Sequence, residues 1–342
     1  MRASIPLIFK RLWRWALAFG LALSLVLIYT DYRQFLETPL SVPAQGLTFE
    51  IKPGVGIGQL ARQLQQQPGL SRPAFYLEAY ARSTGLASRL KAGEYALTPG
   101  LTPRALLDRI VAGRVIQYPL TIVEGWTFRQ LRQALMAHPK LVQTLSGLSD
   151  AEVMARLGRP GEHPEGWFLP DTYHFPAGFT DEAFLRRAQA AMDQRLREIW
   201  SRRAPDAPVN DPYQALILAS IIEKETGVAA ERAEIAGVFA RRLRQGMRLQ
   251  TDPTVIYGLG AVFDGNLRRR DLETDTPYNT YTRSGLPPTP IALPGIAALE
   301  AAVNPASGDT FYFVADGKGG HVFSRTLDEH NRAVRQYRLQ ER

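Results

Sequence analysis

The chain begins with an apolar stretch unlike anything after it. Trp15 to Thr30 (WALAFGLALSLVLIYT) carries no charge over sixteen residues. As a helix at 1.5 Å per residue it reaches about 24 Å, short of a hydrocarbon core of about 30 Å. Leu12 and Trp13 lengthen it if Arg14 snorkels to the headgroups, and Trp13, Trp15 and Tyr29 fall where interfacial aromatics belong. The pattern predicts a transmembrane helix over 12–30, after a basic tail at 1–11 and before a juxtamembrane linker at 31–45. A cleaved signal peptide is the rival reading, but the bulky Leu27–Tyr32 region offers no small-x-small cleavage site.

Beyond the linker, one pattern occurs three times. Phe49-Glu50-Ile51 leads to Gly54, then Leu60 and Leu64; Tyr95-Ala96-Leu97 leads to Gly100, then Leu106 and Ile110; Leu120-Thr121-Ile122 leads to Gly125, then Leu131 and Leu135. Each reads as strand, glycine turn and amphipathic helix. From Tyr118 the chain is mixed α/β, with a helix over Asp181 to about Arg203. Asp211-Pro212 is a good helix start for the run through Ile222, which is apolar on nearly every side and so predicted to be buried. A second helix follows from about Ala229 to Gln245. Met247–Leu249 suggests a short strand, and Asp252-Pro253 opens a short helix toward Gly258.

Charge narrows the picture. The formal net charge is +8, and four cations (Arg2, Lys10, Arg11, Arg14) precede the first acid, Asp31. Half the excess thus flanks the apolar helix and, by the positive-inside rule, places the rest of the chain outside the cytoplasm. This argues against nucleic acid as a partner. The absence of cysteine excludes disulfides, thiolate nucleophiles, Cys-ligated zinc and a lipidated N-terminal Cys. The five histidines form no H-E-x-x-H, and no G-x-S-x-G is present. His321 and His330 read as structural or at most substrate-side. Gly54-Val55-Gly56-Ile57-Gly58 fits no nucleotide loop.

The apolar helix ends in Glu223-Lys224-Glu225, and helical geometry separates the two acids. Glu225 lines up with Leu218, Ile221 and Ile222; Glu223 lines up with Leu216, Ala219 and Ser220. Apolar burial and the C-terminal end of the macrodipole both raise a carboxyl pKa, as a general acid at neutral pH requires. The plainer alternative is a surface Glu225 paired with Lys224 or Arg232. Glu165-Gly166-Trp167-Phe168-Leu169-Pro170-Asp171-Thr172-Tyr173 is either a shaped sugar-stacking loop or a turn whose rings plug the core. Pro277-Tyr278-Asn279-Thr280-Tyr281, followed by Gly285-Leu286-Pro287-Pro288, either holds sugar hydroxyls or is a rigid, locally satisfied loop.

Together, EGWFLPDTY, LASIIEKET, ERAEIAGVFARRLRQGMRLQTDPTVIYGLG, PYNTY with GLPP, and FYFVADGKGGHVF resemble the endolytic murein transglycosylase family (MltG/YceG-like). Phe49 to about Leu97 also resembles the LysM glycan-binding module, or else is a small structural α/β unit. The resemblance implies an α+β protein of the bacterial inner membrane, single-pass, with a LysM-like subdomain at 46–117 and a catalytic domain at 118–342 on the periplasmic side. It implies cleavage of the β-1,4 bond between N-acetylmuramic acid and N-acetylglucosamine in nascent peptidoglycan, leaving a 1,6-anhydro end and terminating strand elongation. It also implies association with peptidoglycan synthases, and makes Glu225 the essential acid. No metal or organic cofactor is expected. Glu165, Asp171, Tyr173, Glu223, Gln250, Asp252, Asn279 and Tyr281 are the expected substrate contacts. Thr289 and Leu293 depart from the family pattern, where Gly and Asn or Thr are usual. The alternatives are a muramidase using Asp171 or Asp252 as second carboxylate, or a non-catalytic wall-binding scaffold.

Overall fold

The computed structural model of the protein describes residues 7–66 and 70–338, so residues 1–6 of the expected basic tail, Arg2 among them, lie outside the described residues. The chain is mixed α/β and forms two compact units, Met1–Tyr118 with Phe175–Ala177, and Pro119–His174 with Gly178–Arg342.

The first unit contains α1 (Leu7–Glu37), β1 (Leu47–Ile51), α2 (Ile57–Gln66), α3 (Phe75–Ser83), β2 (Gly93–Leu97) and α4 (Pro103–Ala112). β1 and β2 pair antiparallel, Leu47 opposite Leu97 and Phe49 opposite Tyr95. Their alternation puts Phe49, Ile51, Tyr95 and Leu97 into one core with Leu60, Leu64, Leu77, Leu106 and Ile110. α1 is long and apolar enough over Arg11–Glu37 to cross a membrane. Its side chains from Leu12 to Tyr29 stay exposed, Trp15 at 76%.

Residues 31–45, expected as a linker, behave otherwise. α1 runs on to Glu37, and Phe35, Leu36 and Leu40 are buried in the core of the first unit. The reason is legible in hindsight: Tyr32, Phe35 and Leu36 form an i, i+3, i+4 stripe that a free linker would leave in water. Asp31 fastens the helix laterally, accepting from the Tyr76 hydroxyl at 3.0 Å and pairing with Arg72 at 2.9 Å.

The second unit holds β3 (Tyr118–Thr121), α5 (Phe128–Ala137), β4 (Leu141–Val142), α6 (Asp150–Arg156), β5 (Thr172–Phe175), β6 (Phe179–Thr180), α7 (Asp181–Ser201) and α8 (Pro212–Glu225). It continues with α9 (Arg232–Arg244), α10 (Asp252–Leu259), α11 (Arg269–Glu273), α12 (Ile296–Val303), β7 (Tyr312–Ala315), β8 (His321–Ser324) and α13 (Leu327–Arg338). The strands form small pairs, β3 with β5, β4 with β6, and β7 with β8. All three turn glycines of the repeated pattern, Gly54, Gly100 and Gly125, take positive φ, which side chains with a Cβ avoid.

α8 is the hub. The Asp211 carboxylate caps it by accepting the Gln214 N–H at 2.8 Å, and every residue from Ala215 to Ile222 is buried. α7, α9, α10 and α12 all pack on it. The strand suggested at Met247–Leu249 does not form. The Arg242 guanidinium takes the Arg248 and Leu249 carbonyls (3.3 and 2.8 Å), so this backbone is satisfied by a side chain rather than a ladder.

Candidate active site

Glu225 is the last residue of α8, so the helix that fills the core delivers a carboxyl to a groove of about 580 Å³. Thr251, Asp252 and Tyr281 line one side, and Tyr312, His321 and Asn331 the other. Desolvation pushes the Glu225 carboxyl up to about 7, and the neighbouring Asp252 acts in the same direction. The Thr251 hydroxyl, which donates to Glu225 Oε1, opposes this, as do His321 and Arg242.

The turn that carries Thr251 and Asp252 is tightly held. Gln250 has φ +51°, the only positive φ outside glycine among the described residues. Its N–H donates to the Thr280 carbonyl, and the Thr251 N–H donates to Thr280 Oγ1, both at 3.1 Å. Arg242, buried, holds the preceding carbonyls and donates to the Phe311 carbonyl at 2.7 Å, joining the turn to the β7–β8 hairpin. Tyr281 donates to Asp252 Oδ1 at 2.5 Å. Burial and that carboxylate raise the Tyr281 pKa, so the phenol keeps its proton. His321 enters from β8 with Nδ1 at 2.7 Å from Glu231 Oε2, which fixes its ring at the groove wall.

Of the residues singled out from sequence, Gln250, Asp252 and Tyr281 thus stand in one groove with Glu225. The others do not. Asn279 is fully buried, its Nδ2 donating to the Asp271, Leu272 and Thr274 carbonyls (3.3, 3.0 and 2.7 Å) while its Oδ1 accepts the Tyr281 N–H at 2.8 Å. It shapes the loop and has no capacity left for sugar. Glu223 accepts the Gly295 N–H at 2.9 Å and faces Arg232 at 3.7 Å, with burial raising its pKa. It ties α8 to the start of α12. Asp171 lies on the exposed rim of β5, accepting the Thr172 N–H at 2.7 Å, which removes it as a partner carboxylate for Glu225. Tyr173 is buried, donating to the Leu169 carbonyl at 2.8 Å and packing edge-on against Phe184. Glu165 lines a second cleft, of about 730 Å³, together with Pro253, Ile256 and Tyr257 of α10. It accepts the Phe128 N–H at 2.8 Å and the Tyr257 hydroxyl at 3.1 Å, and burial lifts its pKa to about 7.

Sequence reasoning missed Thr251 and Arg242. Thr251 sits between two residues it did select. Arg242 follows another arginine on a helix and reads as solvated surface until the chain folds over it. Thr289, one of the unusual loop residues, hydrogen-bonds the Tyr278 hydroxyl at 2.8 Å, and Leu293, the other, is buried.

The model of the YceG-like family matches residues 49–336. The endolytic murein transglycosylase of Bacillus subtilis is 32% identical over 309 residues, covering 85% of this chain and 84% of its own length. That of Streptococcus pneumoniae is 27% identical over 354 residues, covering 90% of this chain and 62% of its own. A crystal structure of a yceG-like protein from Listeria monocytogenes superposes with a TM-score of 0.56 at 32% identity, covering 85% of this chain and 99% of that one.

Proposed function

The chain belongs to the YceG-like family, and from that premise we propose that it is an endolytic murein lytic transglycosylase. It cleaves the β-1,4 bond between N-acetylmuramic acid and N-acetylglucosamine within a glycan strand. The observation that carries this reading is Glu225: a carboxyl at the end of a buried helix, open to a groove, with its pKa lifted to about 7.

Glu225, protonated, gives its proton to the glycosidic oxygen as the C1–O bond breaks. Positive charge then develops on the ring carbon and oxygen of the muramic residue. The Asp252 carboxylate, steadied by Tyr281, is the fixed negative group beside it. The Glu225 carboxylate next takes the proton of the C6 hydroxyl as that oxygen bonds to C1, closing the 1,6-anhydro ring and restoring the acid. One carboxyl serves both steps because the nucleophile belongs to the substrate.

The muramidase reading draws on the same Asp252, a second carboxylate next to Glu225. Product mass separates them, since an anhydro end is one water lighter than a reducing end. Glu225→Gln is expected to stay folded and lose about 10²–10⁴ in rate on purified strands. Undiminished cleavage by that variant would remove Glu225 from the mechanism.

The first unit completes the reading. Its β1–α2–α3–β2 order supports reading it as a LysM-like glycan-binding module, with α1 as the membrane anchor. Lys10, Arg11 and Arg14 before the apolar run, with the first acid, Asp31, after it, support an orientation with both units outside the cytoplasm. Peptidoglycan synthases, which make the strand, are the expected protein partners.

A further inference from the structure

We propose that the cleft lined by Glu165 and by Pro253, Ile256 and Tyr257 of α10 receives the anionic peptide stem of the muramic residue being cleaved, with Lys224 and Arg129 as its carboxylate anchors. This rests on the murein-cleaving function proposed above.

The two openings draw their linings from adjacent residues of the same two elements, α10 and the end of α8. Thr251 and Asp252 line the groove of Glu225, whereas Pro253, Ile256 and Tyr257, on the same helix, line the second cleft. At the end of α8 the division is one peptide bond wide: Glu225 belongs to the groove and Lys224 to the cleft. Neighbouring Cα atoms are about 3.8 Å apart. A group projecting from a sugar at Glu225 toward the Lys224 side of the helix end would meet the second cleft.

Charge identifies the occupant. Both acids of the cleft are engaged. Asp150 pairs with Arg132 at 2.7 Å, and Glu165 is buried against the Phe128 N–H and the Tyr257 hydroxyl. Burial also lowers the pKa of His163, favouring the neutral ring. The two bases are less committed: Arg129 acts on Glu165, and Lys224 on Glu223, only through space. Arg129 and Lys224 are exposed, and among the described residues neither is in an ion pair; the Lys224 ammonium reaches only the Gly125 carbonyl, at 3.4 Å. With Asp150 neutralised by Arg132 and Glu165 holding its proton below about pH 7, the charge left to the cleft is that of the two bases, over a lining that includes Phe128, Ile256 and Tyr278. A murein strand is neutral along its hydroxyl and N-acetyl groups, and the lactyl carboxyl of a stem-bearing muramic residue is consumed in the amide to its peptide. Negative charge in the substrate therefore lies in the stem carboxylates, which suit Arg and Lys.

The test uses the full chain in detergent micelles and two substrates, glycan strands with their stems and the same strands after an amidase has removed them, which keep a lactyl carboxylate on each muramic residue but lose the more distant stem carboxylates. Wild type is expected to show a KM about tenfold lower on stemmed strands. Arg129→Glu and Lys224→Gln should each shrink that advantage toward unity, with melting temperatures near wild type. An equal KM on both substrates in wild type, or an advantage left intact in both variants, would overturn the assignment while leaving the proposed function standing. Loss of cleavage on both substrates alike by folded variants would also overturn it. A wild type inert on both substrates would take the function itself down, and the cleft assignment with it.

Discussion

Glu225 and Glu165 are both held near a pKa of about 7 by burial, yet one opens onto a groove and the other is locked between a backbone N–H and a phenol. For Glu225 the consequence is kinetic. The group must be protonated to start the reaction, so kcat/KM should fall as pH rises through about 7, and a pH–rate profile checks this. For Glu165 the consequence is stability. Its folded pKa lies above the ordinary carboxyl value, so between those two values the folded state keeps a proton that the unfolded chain has released. Stability falls as pH rises through that window and levels off above about 7. The loss attributable to Glu165 is on the order of 3 kcal/mol. Glu165→Gln should remove this share of the fall in thermal stability between about pH 5 and pH 8, leaving the share of the same sign that Glu225 contributes, and should melt above wild type at the upper end. The two acids were not equally legible. Glu225 stands out by counting along its own helix, because the residues three, four and seven before it are apolar, although the neighbours that surround its carboxyl, Thr251, Asp252, Arg242 and His321, come from later in the chain. Glu165 is buried by partners 37 and 92 residues away, which no local pattern announces.

At the scale of elements, the loop before α12 and the turn before α10 decide how the groove is shaped. Asn279 clamps three carbonyls with one amide nitrogen while its oxygen places the Tyr281 backbone. Asn279→Asp would turn an acceptor toward those carbonyls. It should cost about 3 kcal/mol or more in denaturant unfolding, and activity should fall with it because Tyr281 loses its position. Gly166 makes the same point for the EGWFLP segment. It has φ +89°, and an added Cβ would sit 2.7 Å from Pro290 Cγ, so Gly166→Ala should lower stability by about 2–4 kcal/mol. Both segments were noticed in sequence for their Gly, Pro, Asn and aromatic content. That content marks a shaped loop without saying whether its polar groups face a ligand or the backbone. The hub helix and the three strand–turn–helix units were clearer, since capping residues, glycine spacing and apolar periodicity agree in each.

For the molecule as a whole, the decisive feature is that α1 does not stop at the end of its apolar run. Asp31, one residue past Thr30, is gripped by Arg72 and Tyr76, and Phe75 beside them is 59% exposed. If α1 spans the bilayer, Phe75 stands at headgroup level. Because the chain has no cysteine, Phe75→Cys and Ser83→Cys each give a single labelling site. In liposomes, a spin label at 75 should be more accessible to oxygen than to a water-soluble nickel relaxant, and one at 83 the reverse. Equal water access at both would place the first unit clear of the surface.

A helix built into the core of the first unit is a lever, not a leash. A transmembrane helix answers a thinner bilayer by tilting, and here the angle would pass undiminished through Phe35 and Leu36 into the body they are buried in. The orientation of that unit above the membrane would then report on lipid thickness beneath it, with no hinge between them to absorb the change.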